Sequence, residues 1–436
     1  MYRLAIEHLK EWKNKPRRKP LIIRGARQVG KSWLMNEFGI TCFNSVIRIN
    51  CDDNPRMSAI FSEGFNKEKI LLAFQAETGV KAVPNETLII LDEIQEIPNA
   101  LKALKYFNEQ APEYHVIAAG SLLGIALHEG TSFPVGKVEY LDLFPLSFDE
   151  FLLAINENPL FEIIQSCDFG LATAFNTKLI EYLKLYYFVG GMPEIVDLFV
   201  NNKDFSEVRN AQERILFDYE QDFSKHAPKE IVPRIRDLYN SLPKQLAKEN
   251  KKFVYGLVKE GARAREYEIA ISWLIDCGLI QKVDLVSKPE IPLKSYINGK
   301  AFKLFSSDIG LLGASAGIEA RSIIEGNKLF TEFKGAMTEQ YVLQQLKSSC
   351  KFSPFYWGKE NSTAEIDFLL QFNSLVYPVE VKAETNLKAK SLKIFCEKYQ
   401  NNNAIRISLA DFKKESNLIN YPLYMINSLK KYLSEQ

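Results

Sequence analysis

The sequence predicts an α/β fold, in which a parallel sheet comes first, a helical region follows and a second α/β unit ends the chain. Three observations favour this order. Short apolar runs alternate with helical patterns over residues 1–130. Residues 177–246 have a helical pattern that is interrupted at residues 190–193. After residue 327, one long helical pattern leads into short apolar runs joined by tight turns.

Four apolar runs predict the strands of the first sheet. They are Leu21–Arg24, Val46–Ile49, Leu88–Leu91 and Val116–Ala119. Between them lie amphipathic stretches such as Asn99–Phe107, and strands that alternate with helices build parallel sheets covered on both faces. A capping box at Ser147–Glu150, just after Pro145, predicts the start of a further helix.

Composition limits the class of protein. The chain has 436 residues, 46% of them hydrophobic, and 55 basic against 54 acidic side chains give a net charge of +1. This composition excludes a disordered or collagen-like chain and argues against a globally basic nucleic-acid coat protein, although local basic surfaces remain compatible with it. The length suits two to four domains.

The expected compartment is the cytoplasm. No apolar run approaches the roughly 18 residues that span a bilayer, so no membrane partner is expected. The first residues carry charges throughout and lack the apolar core of a secretory signal. Six scattered cysteines without a CxxC pair are typical of reduced thiols rather than of a disulfide framework or a zinc site.

A phosphate-binding motif follows the first predicted strand. Gly25–Ser32 matches GxxxxGK[ST], and the helical pattern Trp33–Phe38 comes directly after it, as this motif requires. In such a loop, successive backbone N–H groups surround the phosphates at the positive end of the helix dipole. The predicted nucleotide-binding residues are Gly25, Ala26, Arg27, Gln28, Val29, Gly30, Lys31 and Ser32. Lys31 would reach the β- and γ-phosphates of ATP, and the Ser32 hydroxyl would ligate Mg²⁺.

Two acidic residues support this interpretation over an ordinary glycine-containing turn. Asp92 and Glu93 follow the buried run Leu88–Leu91. Asp92 would hold Mg²⁺ through water, and Glu93 would polarise the attacking water, which predicts an ATP hydrolase. Ser121 follows the next strand and is the candidate catalytic sensor near the γ-phosphate; the alternative is a loop serine that caps the next helix.

A second acidic motif lies near the end of the chain. Asp367 is followed, after a turn at Asn373–Ser374, by Glu380 and Lys382, and residues two apart on a strand share a face. A hairpin would bring Asp367 to Glu380, and Glu339 on the preceding helix would complete a metal site beside the candidate catalytic Lys382. This D-x12-E-x-K pattern resembles the core of the PD-(D/E)xK nuclease-like fold. The pattern is short, so a chance match is the alternative.

Other segments are candidates for nucleic-acid contact. Lys13–Lys19 holds five basic residues in seven, and the alternative is a solvated connection. Residues 247–287 follow the order helix, turn, helix, glycine, strand, which is typical of a winged helix. Arg263, Arg265 and Tyr267 would begin its recognition helix, although such domains also serve as structural lids. The lysines at 382, 388, 390 and 393 could contact phosphates.

Together these segments resemble one family, the bacterial and archaeal AAA-type P-loop ATPases that carry a C-terminal domain of unknown function similar to PD-(D/E)xK nucleases. The segments that carry the resemblance are GARQVGKS, LIILDEIQ, AAGSLLG, FPVGKVEYLDLFPLSFDEF, FVGGMPEIV, AEIDFLL and PVEVKA. The resemblance implies that Gly25, Gly30, Lys31 and Ser32 bind ATP and Mg²⁺ and that Asp92 and Glu93 act in hydrolysis. Many relatives have a Gly-Arg pair where this chain has Gly136-Lys137, and lysine lacks the planar fork of an arginine finger. Arg214, Arg234, Arg236, Arg263 and Arg265 remain alternative fingers.

The fold class is therefore an α/β P-loop NTPase (parallel sheet, AAA-like), then a helical and winged-helix region, then a C-terminal restriction-endonuclease-like α/β domain. The predicted domains are an ATPase domain over 1–200, a helical connector over 201–246, a winged-helix-like domain over 247–326 and a nuclease-like domain over 327–436.

Three hypotheses for the function follow. The first is an ATP-hydrolysing ATPase coupled to a nucleic-acid-directed C-terminal domain, with DNA favoured and metal-dependent nuclease chemistry left open. The second is an ATP-switched DNA- or protein-binding regulator whose nuclease-like domain is inactive. The third is a signalling ATPase without a nucleic-acid role. A homo-oligomer is compatible with each.

Overall fold

The computed structural model describes residues 2–120, 136–248, 251–324, 331–359, 364–384 and 390–436. The chain divides into two compact units. The first unit comprises residues 2–144 with 276–278, and the second comprises residues 145–275 with 279–436. The candidate sensor Ser121 and the candidate phosphate-contacting Lys388 lie outside the described residues.

The first unit is built on a five-stranded sheet in which all neighbouring strands are parallel and the order is β2-β3-β4-β1-β5. Its strands are β1 Leu21–Arg24, β2 Ser45–Asn50, β3 Thr87–Asp92, β4 His115–Ala119 and β5 Glu139–Asp142. Its helices are α1 Ala5–Lys13, α2 Lys31–Cys42, α3 Pro55–Ser62, α4 Lys67–Thr78 and α5 Pro98–Gln110, with a 3-10 turn at Ile94–Glu96. The four strands predicted from the apolar runs and the parallel α/β fold are confirmed.

The central strands of this unit are unbroken apolar runs in the sequence because both of their faces are buried in its core. Every residue of β3 and β4 is buried, as expected where helices cover both faces of a parallel sheet. Helices α4 and α5 contribute Phe74, Leu104 and Phe107 to the cluster that packs on Ile89 and Leu91. The rigid sheet fixes the carboxyl ends of β1 and β3, where the predicted phosphate loop and acidic pair lie.

The second unit begins with helices. They are α6 Phe148–Ala154, α7 Asn158–Ser166, α8 Phe169–Ala174, α9 Asn176–Val189, α10 Pro193–Asn202, α11 Phe205–His226, α12 Val232–Leu246, α13 Tyr255–Val258 and α14 Ala264–Asp276. The predicted capping box is confirmed: the Ser147 hydroxyl accepts from the Glu150 N–H, and the Glu150 carboxylate accepts from the Ser147 N–H. At the predicted interruption, Gly191 is packed so closely that a Cβ would lie 2.1 Å from the Leu146 carbonyl oxygen.

The second unit continues into a mixed eight-stranded sheet of order β12-β13-β11-β10-β9-β8-β6-β7. Its strands are β6 Ile280–Val286, β7 Ile297–Ser306, β8 Phe355–Gly358, β9 Glu365–Phe372, β10 Leu375–Val381, β11 Ala404–Ser408, β12 Lys413–Lys414 and β13 Leu418–Pro422. The accompanying helices are α15 Ile309–Ser315, α16 Ala320–Ile324, α17 Thr331–Ser348, α18 Lys390–Tyr399 and α19 Leu429–Ser434, with 3-10 turns at Leu293–Tyr296 and Leu423–Ser428.

Strands from two of the predicted domains share this sheet. The β6–β7 hairpin belongs to the predicted winged-helix region, and β6 pairs in parallel with β8 at Leu285 and Tyr356. Helix α14 precedes the hairpin and buries Tyr267, Trp273 and Leu274, so these residues belong to its core face. The hairpin therefore brings side chains of residues 280–306 next to strands β8 and β9.

Two further observations concern the whole described chain. Within the described ranges, no helix combines the length and the apolar character needed to cross a bilayer. All six cysteines are free thiols.

Candidate nucleotide site and acidic cluster

The predicted phosphate loop connects β1 to α2 through backbone conformations that favour glycine. Gly30 caps α2 with φ 89°, and Gly25 has φ 154°. A Cβ on Gly25 would lie 2.1 Å from the Leu143 carbonyl oxygen, so only glycine fits there. The buried Arg3 supports the loop from outside by donating to the Val29 carbonyl over 2.8 Å.

Lys31 is the first residue of α2, and its ammonium contacts the phosphate loop. Its Nζ donates to the carbonyl oxygens of Ala26 at 2.8 Å and Gly25 at 3.0 Å. Burial lowers the pKa of Lys31 to about 8, against the opposing attraction of Glu93 and Asp92. A desolvated ammonium beside glycine-lined backbone is suited to the phosphates of ATP.

Asp92 ends β3 and is buried, and its carboxylate already has a cationic partner. Arg48 on the neighbouring strand β2 donates from Nη2 to Asp92 Oδ2 over 2.9 Å. Sequence reasoning missed Arg48. The signal was its place between Ile47 and Ile49, two buried residues of a strand that runs beside the acidic motif.

Glu93 stands on a strained turn directly after β3. Its backbone is left-handed, with φ 49° and ψ 46°, a conformation that costs a non-glycine residue about 1–3 kcal/mol. Gln95 donates from Nε2 to Glu93 Oε2 over 2.8 Å. Strain of this kind is common at functional sites.

The residues at the end of β1 and β3 fit Mg²⁺ and ATP. Gly25 leaves a cradle that any side chain would fill, Lys31 supplies a buried ammonium, and Asp92 supplies a buried carboxylate. Ser32 begins α2 beside Lys31, where its hydroxyl is the predicted Mg²⁺ ligand. The individual roles assigned to the loop residues stay predictions.

The second predicted site forms on the β9–β10 hairpin. The two strands are antiparallel and turn at Asn373 and Ser374, as predicted. Asp367 Oδ2 accepts the N–H of Val381 over 2.7 Å, and Lys382 Nζ lies 2.6 Å from Glu380 Oε1. Glu380 and Lys382 therefore share a face, and the hairpin brings Asp367 to them.

Glu339 joins this group from α17 together with three residues that the sequence analysis missed. The group, called here the acidic cluster, consists of Glu339, Glu365, Asp367, Glu380, Lys251, Lys303 and Lys382. Lys251 Nζ lies 2.6 Å from Glu339 Oε1. Lys303 Nζ contacts Glu365 and lies 3.9 Å from Glu339 Oε2. The signal for Lys303 was a charged residue between the apolar residues Phe302 and Leu304 of β7.

Burial is the largest single influence on the pKa values of Asp367, Lys303 and Lys382, but it sets the direction of the shift only at Asp367. It raises the pKa of Asp367 to about 8, and the nearby Glu339 carboxylate adds to the rise while Lys303 opposes it. For Lys303, burial favours the neutral amine, but Glu365, Glu339 and Asp367 outweigh it and raise the pKa. For Lys382, burial is likewise outweighed by the hydrogen bond and charge of Glu380, which raise the pKa.

The acidic cluster, as arranged, does not fit a divalent metal. Among the described residues, no group of three or more acidic, histidine or cysteine side chains is placed to hold a metal ion. The Glu339 carboxylate faces the ammoniums of Lys251 and Lys303 instead. The metal role of Asp367, Glu380 and Glu339 and the catalytic role of Lys382 stay predictions.

The other basic candidates differ in what they contact. In the Lys13–Lys19 run, Lys15 pairs with Glu139 at 2.5 Å, and Arg18 and Lys19 donate to backbone carbonyls at 2.9 Å and 2.7 Å. These contacts favour a structural connection. Lys137, at the position of the family arginine, pairs with Glu109 at 2.8 Å.

The candidate arginine fingers and recognition arginines also differ in what they contact. Arg214 pairs with Glu194 at 2.5 Å, and Arg236 donates to Ser224 Oγ over 2.7 Å. Arg263 and Arg265 are exposed at the start of α14. These two arginines therefore lie at the position where the winged-helix interpretation expects the recognition helix to begin.

Three protein families match parts of the chain. Residues 17–152 match a family described as an AAA domain. Residues 180–322 and 334–425 match two families described as Domain of unknown function (DUF8612) and Domain of unknown function (DUF4143). No curated protein matches the chain. The first of these matches covers β1 to β5 with both nucleotide motifs, so the chain contains an AAA-type P-loop ATPase domain.

Several solved structures are distantly similar. A Walker-type ATPase of Pyrococcus abyssi is 15% identical, with coverage of 71% of this chain and 94% of the other and a TM-score of 0.43. The Aeropyrum pernix ORC1 protein in complex with DNA is 13% identical, with 72% and 90% coverage and a TM-score of 0.27. A Signal Transduction ATPase with Numerous Domains, from Pyrococcus horikoshii, is 14% identical, with 80% and 45% coverage and a TM-score of 0.28.

Proposed function

We propose that this chain binds ATP with Mg²⁺ and hydrolyses it. The observation that carries the proposal is the buried Lys31 ammonium on the loop carbonyls, electrostatically coupled to Asp92 and Glu93. Bound Mg²⁺ would neutralise phosphate charge and polarise the bond that breaks. Lys31 binds the terminal phosphates, Asp92 orients the metal, and Glu93 accepts a proton from the attacking water.

We further propose that ATP controls the C-terminal regions of the chain. The C-terminal regions are directed at nucleic acid, with DNA favoured, and the nucleotide switches how they bind. Exposed Arg263 and Arg265 support this part, because arginines at the start of a helix are suited to phosphate and base edges. The domains over 201–246, 247–326 and 327–436 would act as connector, winged helix and nuclease-like domain.

Two versions of the C-terminal chemistry remain. The hairpin that joins Asp367, Glu380 and Lys382 favours a metal-dependent nuclease. The lysines that neutralise Glu339 and Glu365 favour a regulator with an inactive nuclease-like domain, and this version is the better supported, since the carboxylates already have cationic partners.

One assay separates these versions. Supercoiled, linear and single-stranded DNA are incubated with Mg²⁺ or Mn²⁺, with and without ATP, beside the Lys31→Ala and Lys382→Ala variants. The regulator version predicts DNA binding that depends on ATP, without cleavage. Cleavage by the wild type that Lys382→Ala abolishes would establish the nuclease version instead. A protein that neither binds nor cleaves DNA, while it hydrolyses ATP, would contradict both and favour a signalling ATPase.

A further inference from the structure

Lys303 is a fully buried lysine in the buried second half of strand β7, between Phe302 and Leu304. It lies on β7 opposite Val283 of β6, and its side chain is 1% exposed. A buried ammonium is costly unless anionic groups compensate for the lost water. The groups that contact the Lys303 ammonium must therefore supply this compensation.

The contacts of Lys303 are all in the acidic cluster or directly beside it. Its Nζ contacts the Glu365 carboxylate, lies 3.9 Å from Glu339 Oε2, and lies 4.9 Å from the centre of the Tyr356 ring. Two carboxylates and an aromatic face surround the ammonium. A lysine from the β6–β7 hairpin thus reaches acidic residues that belong to α17 and β9.

Lys251 completes the arrangement from a second direction. Its Nζ lies 2.6 Å from Glu339 Oε1, and its side chain is 11% exposed. Both oxygens of Glu339 therefore face an ammonium group. Four carboxyl groups of the acidic cluster, from Glu339, Glu365, Asp367 and Glu380, meet three ammonium groups, from Lys251, Lys303 and Lys382.

We propose that Lys303, assisted by Lys251, is the resident counter-cation of the acidic cluster and keeps divalent metal out of it. A metal ion needs the same carboxylate oxygens, and it would have to enter beside two buried positive charges. The nuclease-like site is then latent: it accepts a divalent cation only once the Lys303 ammonium is removed. This inference rests on the regulator version of the proposed function, in which the nuclease-like domain is inactive.

Mn²⁺ binding tests it without relying on cleavage. Full-length protein free of nucleotide is titrated with Mn²⁺, and free Mn²⁺ is followed by its electron paramagnetic resonance signal. The wild type and Asp367→Asn are expected to bind the same amount. Lys303→Met is expected to bind about one more Mn²⁺ per chain, and the Lys303→Met/Asp367→Asn double variant is expected to lose it again.

The control is Lys282→Met. Lys282 lies on the neighbouring strand β6 and pairs with Asp284 at 2.7 Å, outside the acidic cluster, so this variant should bind Mn²⁺ like the wild type. ATP hydrolysis in every variant reports separately on the nucleotide site.

Two results would overturn the proposal: a wild-type Mn²⁺ site that Asp367→Asn removes, or a folded Lys303→Met that gains no Mn²⁺. If Lys303→Met fails to fold, the comparison of wild type with Asp367→Asn still tests whether the wild-type acidic cluster excludes Mn²⁺.

Discussion

Arg48 Nη2 lies 2.9 Å from Asp92 Oδ2, so a cation from β2 occupies the carboxylate that is predicted to hold Mg²⁺. The two side chains differ in exposure, since that of Arg48 is 48% exposed and that of Asp92 is 6% exposed. The half-exposed guanidinium can move into solvent, whereas the carboxylate is fixed at the end of the central strand β3. Arg48 is thus placed to compete with Mg²⁺ for one oxygen.

Replacing Arg48 by methionine should tighten the binding of MgATP several-fold, because the metal no longer displaces a guanidinium. Without nucleotide, the free energy of unfolding should fall by about 1 kcal/mol, a modest value because the pair is half exposed. Calorimetric titration with MgATP and with ATP in EDTA measures the first effect.

The matched control for this prediction is Arg56→Met, which removes an exposed arginine that pairs with Glu77 at 3.0 Å in the same unit. It should leave MgATP binding unchanged. An equal gain in affinity with and without Mg²⁺ in Arg48→Met would rule out competition at Asp92.

ATP affinity should fall as the pH rises above 8. Burial lowers the pKa of Lys31 to about 8 in the free protein, whereas the phosphates of bound ATP favour the charged ammonium and raise it. Binding above the free-state pKa therefore takes up a proton, and affinity should fall by up to about tenfold per pH unit. Dissociation constants at pH 7, 8 and 9 measure the slope.

Lys31→Arg is the control for the pH effect, because a guanidinium keeps its charge throughout this range. Its ATP affinity should stay constant between pH 7 and 9, even if it is weaker than that of the wild type. A wild-type affinity that is equally constant would mean that Lys31 does not titrate there.

Gly25→Ala should abolish ATP binding. The added Cβ would meet the Leu143 carbonyl oxygen at 2.1 Å, so the loop must shift, and we expect a loss of about 3 kcal/mol in the free energy of unfolding. Gly335→Ala on α17 is the comparison. Nothing lies within 4 Å of its added Cβ, and alanine favours helix, so stability should rise by up to about 1 kcal/mol. Chemical denaturation checks both, and unchanged stability and ATP binding in Gly25→Ala would contradict the close approach of Gly25 to Leu143.

The Arg263→Ala/Arg265→Ala variant should bind DNA more weakly and with less dependence on salt. If each exposed arginine neutralises one phosphate, the slope of log K against log salt should become shallower by about 0.9 per arginine. Fluorescence anisotropy at several salt concentrations gives the slope. Lys413→Ala is the control, because β12 and β7 lie at opposite edges of the sheet. Equal slopes in both variants would show that α14 is not part of the DNA-binding surface.

The sequence predicts those parts of the molecule whose signals are local. The strands of the first sheet, the phosphate loop and the Ser147–Glu150 capping box each depend on residues a few positions apart. The β9–β10 hairpin was predictable for the same reason, since the turn at Asn373–Ser374 lies between two short apolar runs.

Contacts between distant segments were not predictable from one sequence. Lys303 and Glu365 are 62 positions apart, and they meet only because β6 pairs with β8 and extends one sheet across two predicted domains. Arg48 reaches Asp92 because β2 and β3 are neighbours in the sheet. Other orders of the same parallel strands would separate β2 from β3. Strand order is set by packing over the whole unit rather than by local pattern.

The most direct test of ATP hydrolysis at this site is the comparison of Glu93→Gln with the wild type in ATP binding and ATP hydrolysis. Glutamine keeps the shape of the side chain and cannot accept the proton. We expect Glu93→Gln to bind MgATP like the wild type and to lose hydrolysis by at least about a hundredfold. Wild-type turnover in Glu93→Gln, or a wild type that binds no ATP, would contradict the central claim.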